Sequence, residues 1–193
     1  MIKELQLVEE PGRTLSMNPK KFMMWLIISS IVMLFAAMTS AYIVRQAEGN
    51  WLDFKLPSIF VTTTGIIMLS SITLQWAYSL IKKDDLVRGK WAVAITIVLG
   101  LIFLVGQVMG WGALVNSDVY FVGNPSGSFL YVLTGLHGFH LIAGLIFLVV
   151  VFVGIIRYKI HSRNIVTMEL GLTFWHFLSG LWLYLYIFLL LNR

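Results

Sequence analysis

Residues 129–156 read FLYVLTGLHGFHLIAGLIFLVVVFVGII, with no Lys, Arg, Asp or Glu among them. A bilayer core about 30 Å thick needs roughly 20 helical residues to cross, so this run is long enough to span with tilt or overhang. Strands of membrane barrels alternate apolar and polar side chains, and this run does not alternate. It reads as a transmembrane helix. Working outward, residues 22–44, 58–81 and 91–111 before it, and about 166–191 after it, meet the same criterion. Glu169, near an end, is the one carboxylate in the five interiors, and Lys, Arg and Asp are missing from them. The expected fold class is all-α, an integral membrane bundle of five transmembrane helices.

The composition agrees. Of 193 residues, 59% are apolar and 12% charged, where a soluble domain runs near 45–50% and about 25%. The mean hydropathy of +0.86 excludes intrinsic disorder and argues against a water-soluble globule. Cysteine is absent, which excludes disulfides, thiolate metal sites, iron–sulfur clusters and a cysteine nucleophile. A pI near 9.6 suggests nucleic acid only until the basic residues are located. They lie between the apolar runs, so no nucleic-acid partner is expected and the membrane accounts for them.

Lys and Arg in short loops set orientation. Four lie in residues 1–21, four between the second and third spans, and three between the fourth and fifth. The opposite side carries Arg45, Lys55 and Arg193. The expectation is N-terminus inside and C-terminus outside. Residues 1–21 contain Glu4, Glu9, Glu10 and Pro11 and lack the apolar core of a secretory signal, so they read as a retained cytoplasmic tail. Residues 22–193 form the membrane domain. The loop 116–128, with Gly123, Asn124, Pro125 and Gly127, reads as tight turns. Trp91, Trp111 and Tyr158 read as interfacial anchors.

Polar groups in hydrocarbon need partners and are functional candidates by default, although Ser, Thr and Gly commonly serve helix packing. The second span holds Thr62, Thr63, Thr64, Ser70, Ser71, Thr73 and Gln75, read here as packing residues. Gly106-x-x-x-Gly110 has the spacing for close helix approach, and Gln107 must be bonded to something. The sharper cluster is His137, His140, Glu169 and His176. His140 lies about 17 Å and His176 about 15 Å along their helices, each near mid-depth. The short intervening loop makes these helices antiparallel neighbours, so the two rings are expected to meet, directly or through one bridge. His137 and His140 share a face, as do Glu169 and His176. Three readings compete: a metal site of imidazoles and a carboxylate, haem ligation, and a hydrogen-bonded network bracing the helices, each ring donating to a carbonyl, hydroxyl or carboxylate. Membrane di-iron hydroxylases use repeated His pairs, and four His are the whole supply here. The network takes precedence, with no catalytic, cofactor-binding or metal residue assigned. A small-solute transporter would offer midplane charges, broken helices or repeated halves, and these spans have none. Trp175 and Trp182, seven apart, share a face directed at a neighbouring helix or lipid.

Specific strings then point to a family. Thr134-Gly135-Leu136-His137-Gly138-Phe139-His140 resembles the TGxHGxHV motif of haem–copper oxidase subunit III. Glu169 with Trp175-His176-Phe177 and Trp182 looks like that family's E-x5-WHFVDxxW. Ser70-Ser71-x-Thr73 with Ala77, and Leu99-Gly100-x-x-Phe103-x-x-x-Gln107, resemble its SSxT…A and LGxxFxxxQ stretches. The matches occur in family order across most of the chain, which is similar to the short five-helix bacterial members. Three positions depart from the pattern. Ser30 stands where an intramembrane Glu is expected, Gly110 where a second Glu follows the Gln, and Ser179 for the Asp of WHFVD.

The resemblance implies a non-catalytic subunit of a respiratory terminal oxidase that reduces oxygen to water and pumps protons. Haem and copper would be held by partner subunits, and this chain would carry no cofactor. It implies contact with subunit I and subunit II, further respiratory-chain subunits, bound phospholipid, support for proton uptake, and a place in a bacterial plasma membrane. A quinol oxidase subunit or an accessory protein of nitric-oxide reduction is the alternative within the resemblance.

Overall fold

The computed structural model describes residues 18–52, 54–162 and 164–192. Most of them lie in five helices: α1 Pro19–Ala47, α2 Ile59–Lys82, α3 Leu86–Val115, α4 Pro125–Ile156 and α5 Val166–Leu191. Each is long and apolar enough to cross a membrane, and no strand occurs among the described residues. Most of the expected tail, with Arg163 and Arg193, falls outside them.

Three of the helices, α1, α3 and α4, overrun the apolar runs and begin at polar caps. Asn18 accepts from the Lys20 backbone N–H ahead of Pro19, and Asp85 accepts from that of Arg88, starting α3 five residues before the hydrophobic segment. Asn124 accepts from Ser126 N–H at 3.0 Å with Pro125 in the first turn. Residues 125–128 are therefore helical rather than turns. Asn–Pro supplies a side-chain acceptor and a preset φ where a helix begins, and the loop reading missed this.

α2, α3, α4 and α5 form a closed ring, each packed on the next and α5 back on α2. α1 lies outside the ring, against α4 and α5 alone. The α2–α3 pair is drawn together by missing side chains. A Cβ on Gly106 would lie 2.4 Å from Thr63 Cγ2, one on Gly110 2.9 Å from Phe60 Cζ, and one on Gly89 2.7 Å from Ile81 Cγ1. These pairs keep one antiparallel register along the whole hairpin, the geometry small residues permit in a membrane. Trp175, fully buried, fills the ring between Gly100, where a Cβ would lie 2.8 Å from its indole, and Gly144, where a Cβ would lie 2.9 Å from Leu178 Cδ1.

Candidate functional site

Polar side chains inside the ring converge on α2. Four of its hydroxyls, on Thr63, Thr64, Ser70 and Thr73, follow one pattern: each donates to a carbonyl of its own helix and offers its oxygen to a neighbour. Ser70 Oγ donates to Ile67 O and accepts the Trp175 indole N–H at 3.0 Å. Thr64 Oγ1 donates to Phe60 O and accepts the Trp182 indole N–H at 2.9 Å. Thr63 Oγ1, bonded to the same carbonyl, accepts from Gln107 Nε2 at 3.3 Å. Thr73 and Thr96 share a bond of 2.8 Å between α2 and α3. Thr63, Thr64, Ser70 and Thr73, read as packing residues, are therefore also hydrogen-bond partners of α3 and α5. Trp175 and Trp182 face α2 within the bundle, not lipid.

His176 Nδ1 is bonded to Ser71 Oγ, and its Nε2 lies 3.1 Å from Gln75 Oε1. A neutral imidazole protonated at Nε2 satisfies both contacts, accepting from the serine and donating to the amide. At the end of the bundle that bears Lys82 and Lys83, Glu169 receives Lys21 at 2.7 Å and the Tyr78 hydroxyl at 3.3 Å. Glu169 thereby joins α1, α2 and α5, with Tyr78, a residue the sequence reading did not single out, as its partner on α2. Glu169 and His176 thus both turn toward α2.

His140 does not join them. Its Nδ1 donates to Leu136 O at 2.8 Å within α4, and its ring meets Phe35 of α1 edge-on. It lines a groove of about 490 Å³ with Ile27, Ser30 and Ile31 of α1. The expected meeting of His140 and His176 is overturned: one ring faces α1, the other α2. Equal depth constrains position along the membrane normal but not azimuth about the helix axis, and azimuth separates these two.

His137 departs differently. It is fully buried among Phe35, Phe103 and Trp182, and neither ring nitrogen has a hydrogen-bond partner among the described residues. The expectation that each ring donates to an oxygen fails here, because aromatic faces surround it. Gln107 is half satisfied, its Oε1 also unpartnered. Trp111, read as an interfacial anchor, turns inward and donates to Thr134 at 3.0 Å. Among the described residues no group of three or more His, Asp or Glu is placed to hold a metal ion. The rings of His137, His140 and His176 turn toward different neighbours.

Residues 14–192 match the family model described as cytochrome c oxidase subunit III. The chain belongs to that family. A probable cytochrome c oxidase subunit 3 from Nocardia farcinica (strain IFM 10152) is 31% identical over 170 residues, covering 82% of this chain and 81% of the relative. The cytochrome c oxidase subunit 3 of Corynebacterium diphtheriae is 28% identical over 168 residues, with 83% and 82% covered. That of Cyprinus carpio is 31% identical over 134 residues, 69% of this chain but 49% of the fish protein. The chain spans about half the length of the animal relatives it matches.

Within this subunit III family the three departures have structural homes. Gly110 packs on Phe60 with no room for a side chain. Ser179 is buried and donates to Trp175 O at 2.9 Å. Ser30 opens onto the His140 groove.

Proposed function

We propose that this chain serves as the non-catalytic subunit III of a respiratory haem–copper oxidase of the cytochrome c oxidase type, in a bacterial plasma membrane. Its partners would be subunit I, as the main contact, and subunit II, both in a complex that reduces oxygen to water and translocates protons. The observation that carries this is the family match along residues 14–192. The site chemistry supports it: the hydroxyls of α2 are engaged in bonds between helices, and the rings of His137, His140 and His176 do not converge. The chain would brace subunit I, hold phospholipid along its apolar outer faces and support proton uptake without itself passing electrons. The Lys and Arg distribution supports an N-terminus inside and a C-terminus outside.

The test is purification from the native membrane under mild detergent. The expected result is co-purification with chains that carry haem and copper, while the separated subunit shows no stoichiometric haem or copper spectrum. A haem or copper spectrum that stays with this chain after separation overturns the bracing role.

A further inference from the structure

The outward face of α2 departs from the apolar character of the other lipid-compatible surfaces. Ser71, Gln75 and Ser79, four residues apart, share one side of the helix. With His176 they line an open groove of about 410 Å³ between α2 and α5. Ile72 and Trp76 flank it, 65% and 54% exposed. By contrast, the outer side of α3 presents Val98, Leu101, Val105 and Val108, which acyl chains cover without loss.

Counting back from Lys82 at 1.5 Å per residue puts Gln75 roughly 10 Å and Ser71 roughly 16 Å into the hydrocarbon. That core is about 30 Å thick, so water and headgroups lie beyond reach of both. Ser71 and Gln75 Oε1 are bonded to His176, and Ser79 donates to Gln75 O. The amide nitrogen of Gln75 has two N–H donors and donates to no described residue, on a side chain that is exposed. Unpaired donors facing acyl chains are unfavourable, and at this depth only another protein segment supplies an acceptor.

We infer that the Ser71–Gln75–His176 face of α2 and α5 docks a transmembrane helix of a neighbouring subunit that presents a hydrogen-bond acceptor, a carbonyl or hydroxyl oxygen, to the Gln75 amide about a third of the way into the hydrocarbon. Resting on the subunit III reading, that helix belongs to the large catalytic chain of the oxidase. His176 acts as a positioning residue: by holding Gln75 Oε1 it turns the N–H donors outward. Ile72 and Trp76 supply the apolar contact on either side.

A photoreactive phenylalanine analogue placed singly at Ile72 or Trp76, and at Val105 or Val108 as controls, is illuminated in native membranes, and the adducts are identified by mass. The expected result is adducts to the large oxidase subunit from positions 72 and 76, and lipid adducts from 105 and 108. Lipid-only adducts at 72 and 76, or adducts to a second copy of this chain, overturn the docking face while the chain still co-purifies with the oxidase. If no haem–copper chain co-purifies, the subunit III reading itself fails and this assignment of the partner with it. Gln75→Leu is expected to raise loss of the chain from the complex during detergent washing by roughly three- to fifteen-fold, with Val105→Leu as the unaffected control. Unchanged retention of a normally helical Gln75→Leu overturns the role of the amide.

Discussion

Gly106→Ala and Gly138→Ala place the same methyl group on two transmembrane helices with opposite expected results. In a helix interior, alanine is favoured over glycine by about 1 kcal/mol. Nothing lies within 4 Å of a Cβ built on Gly138, so Gly138→Ala should keep that gain and stabilise by about 0.5–1 kcal/mol. On Gly106 the methyl would sit 2.4 Å from Thr63 Cγ2, against roughly 3.5–4.0 Å for carbon contact. α2 and α3 must then separate by about 1 Å, or Thr63 must rotate. Rotation is resisted because Thr63 Oγ1 both donates to Phe60 O and accepts from Gln107. Overpacking of this kind costs about 1–3 kcal/mol, and losing the Gln107 bond adds about 0.6 kcal/mol. The propensity gain offsets only part of this, leaving a net loss of about 0.6–2.6 kcal/mol. Unfolding in mixed detergent micelles, followed by tryptophan fluorescence and circular dichroism, reads both variants against the wild type. Equal shifts of the two variants, or a Gly106→Ala protein as stable as the parent, would refute the claim that missing side chains set the α2–α3 distance.

The tryptophan indoles and the two half-buried histidines give further tests in the same assay. Trp182→Phe keeps an aromatic ring against Phe60, Phe103 and His137 but removes the N–H that reaches Thr64; a loss of about 1–2 kcal/mol is expected, and no loss would mean that the indole bond is not used. His176→Leu breaks two bonds to α2 and should cost about 1–3 kcal/mol, whereas His140→Leu, whose ring bonds only its own helix, should stay within about 0.5 kcal/mol. A larger effect at His140 than at His176 contradicts the assignment of the α2 face as the braced one.

The spans were legible in the sequence because crossing a bilayer is a local property: length and apolar content suffice. Helix ends were less so. Residues 125–128 looked like a turn because Gly, Pro and Ser are common to loops and to capped first turns, and Asn124 decides between them only through the direction of its side chain. The partners of the polar residues were legible as a set but not as pairs. His140 and His176 show why. Depth follows from counting at 1.5 Å per residue, but each residue also turns the helix by about 100°, and the azimuth of α4 against α5 is fixed by which helix packs where. α1 outside the ring, against α4 and α5, draws His140 away. Nothing in a hydropathy pattern places α1 there.

The α2 hydroxyls explain how so many polar residues fit a structure with almost no buried charge. A serine or threonine in hydrocarbon can give its proton to the carbonyl one turn back, as Thr63, Thr64, Ser70 and Thr73 all do. What remains is a neutral oxygen with a free lone pair, matched to donors that have no acceptor of their own: indole N–H and amide N–H groups. A carboxylate at these places would bring a desolvation cost that a hydroxyl does not, and Ser179 in place of the family's Asp follows the same economy by donating to Trp175 O. In this bundle neutral, singly shared bonds tie α2 to α3 and α5 while the protons of Thr63, Thr64, Ser70 and Thr73 stay bonded within α2. Gln75 breaks the rule on the outer face of that same helix, since the two N–H donors of its amide meet no acceptor among the described residues. That exception singles out the α2–α5 groove, rather than the apolar sides of α3, as the place where the bundle is incomplete without a neighbour.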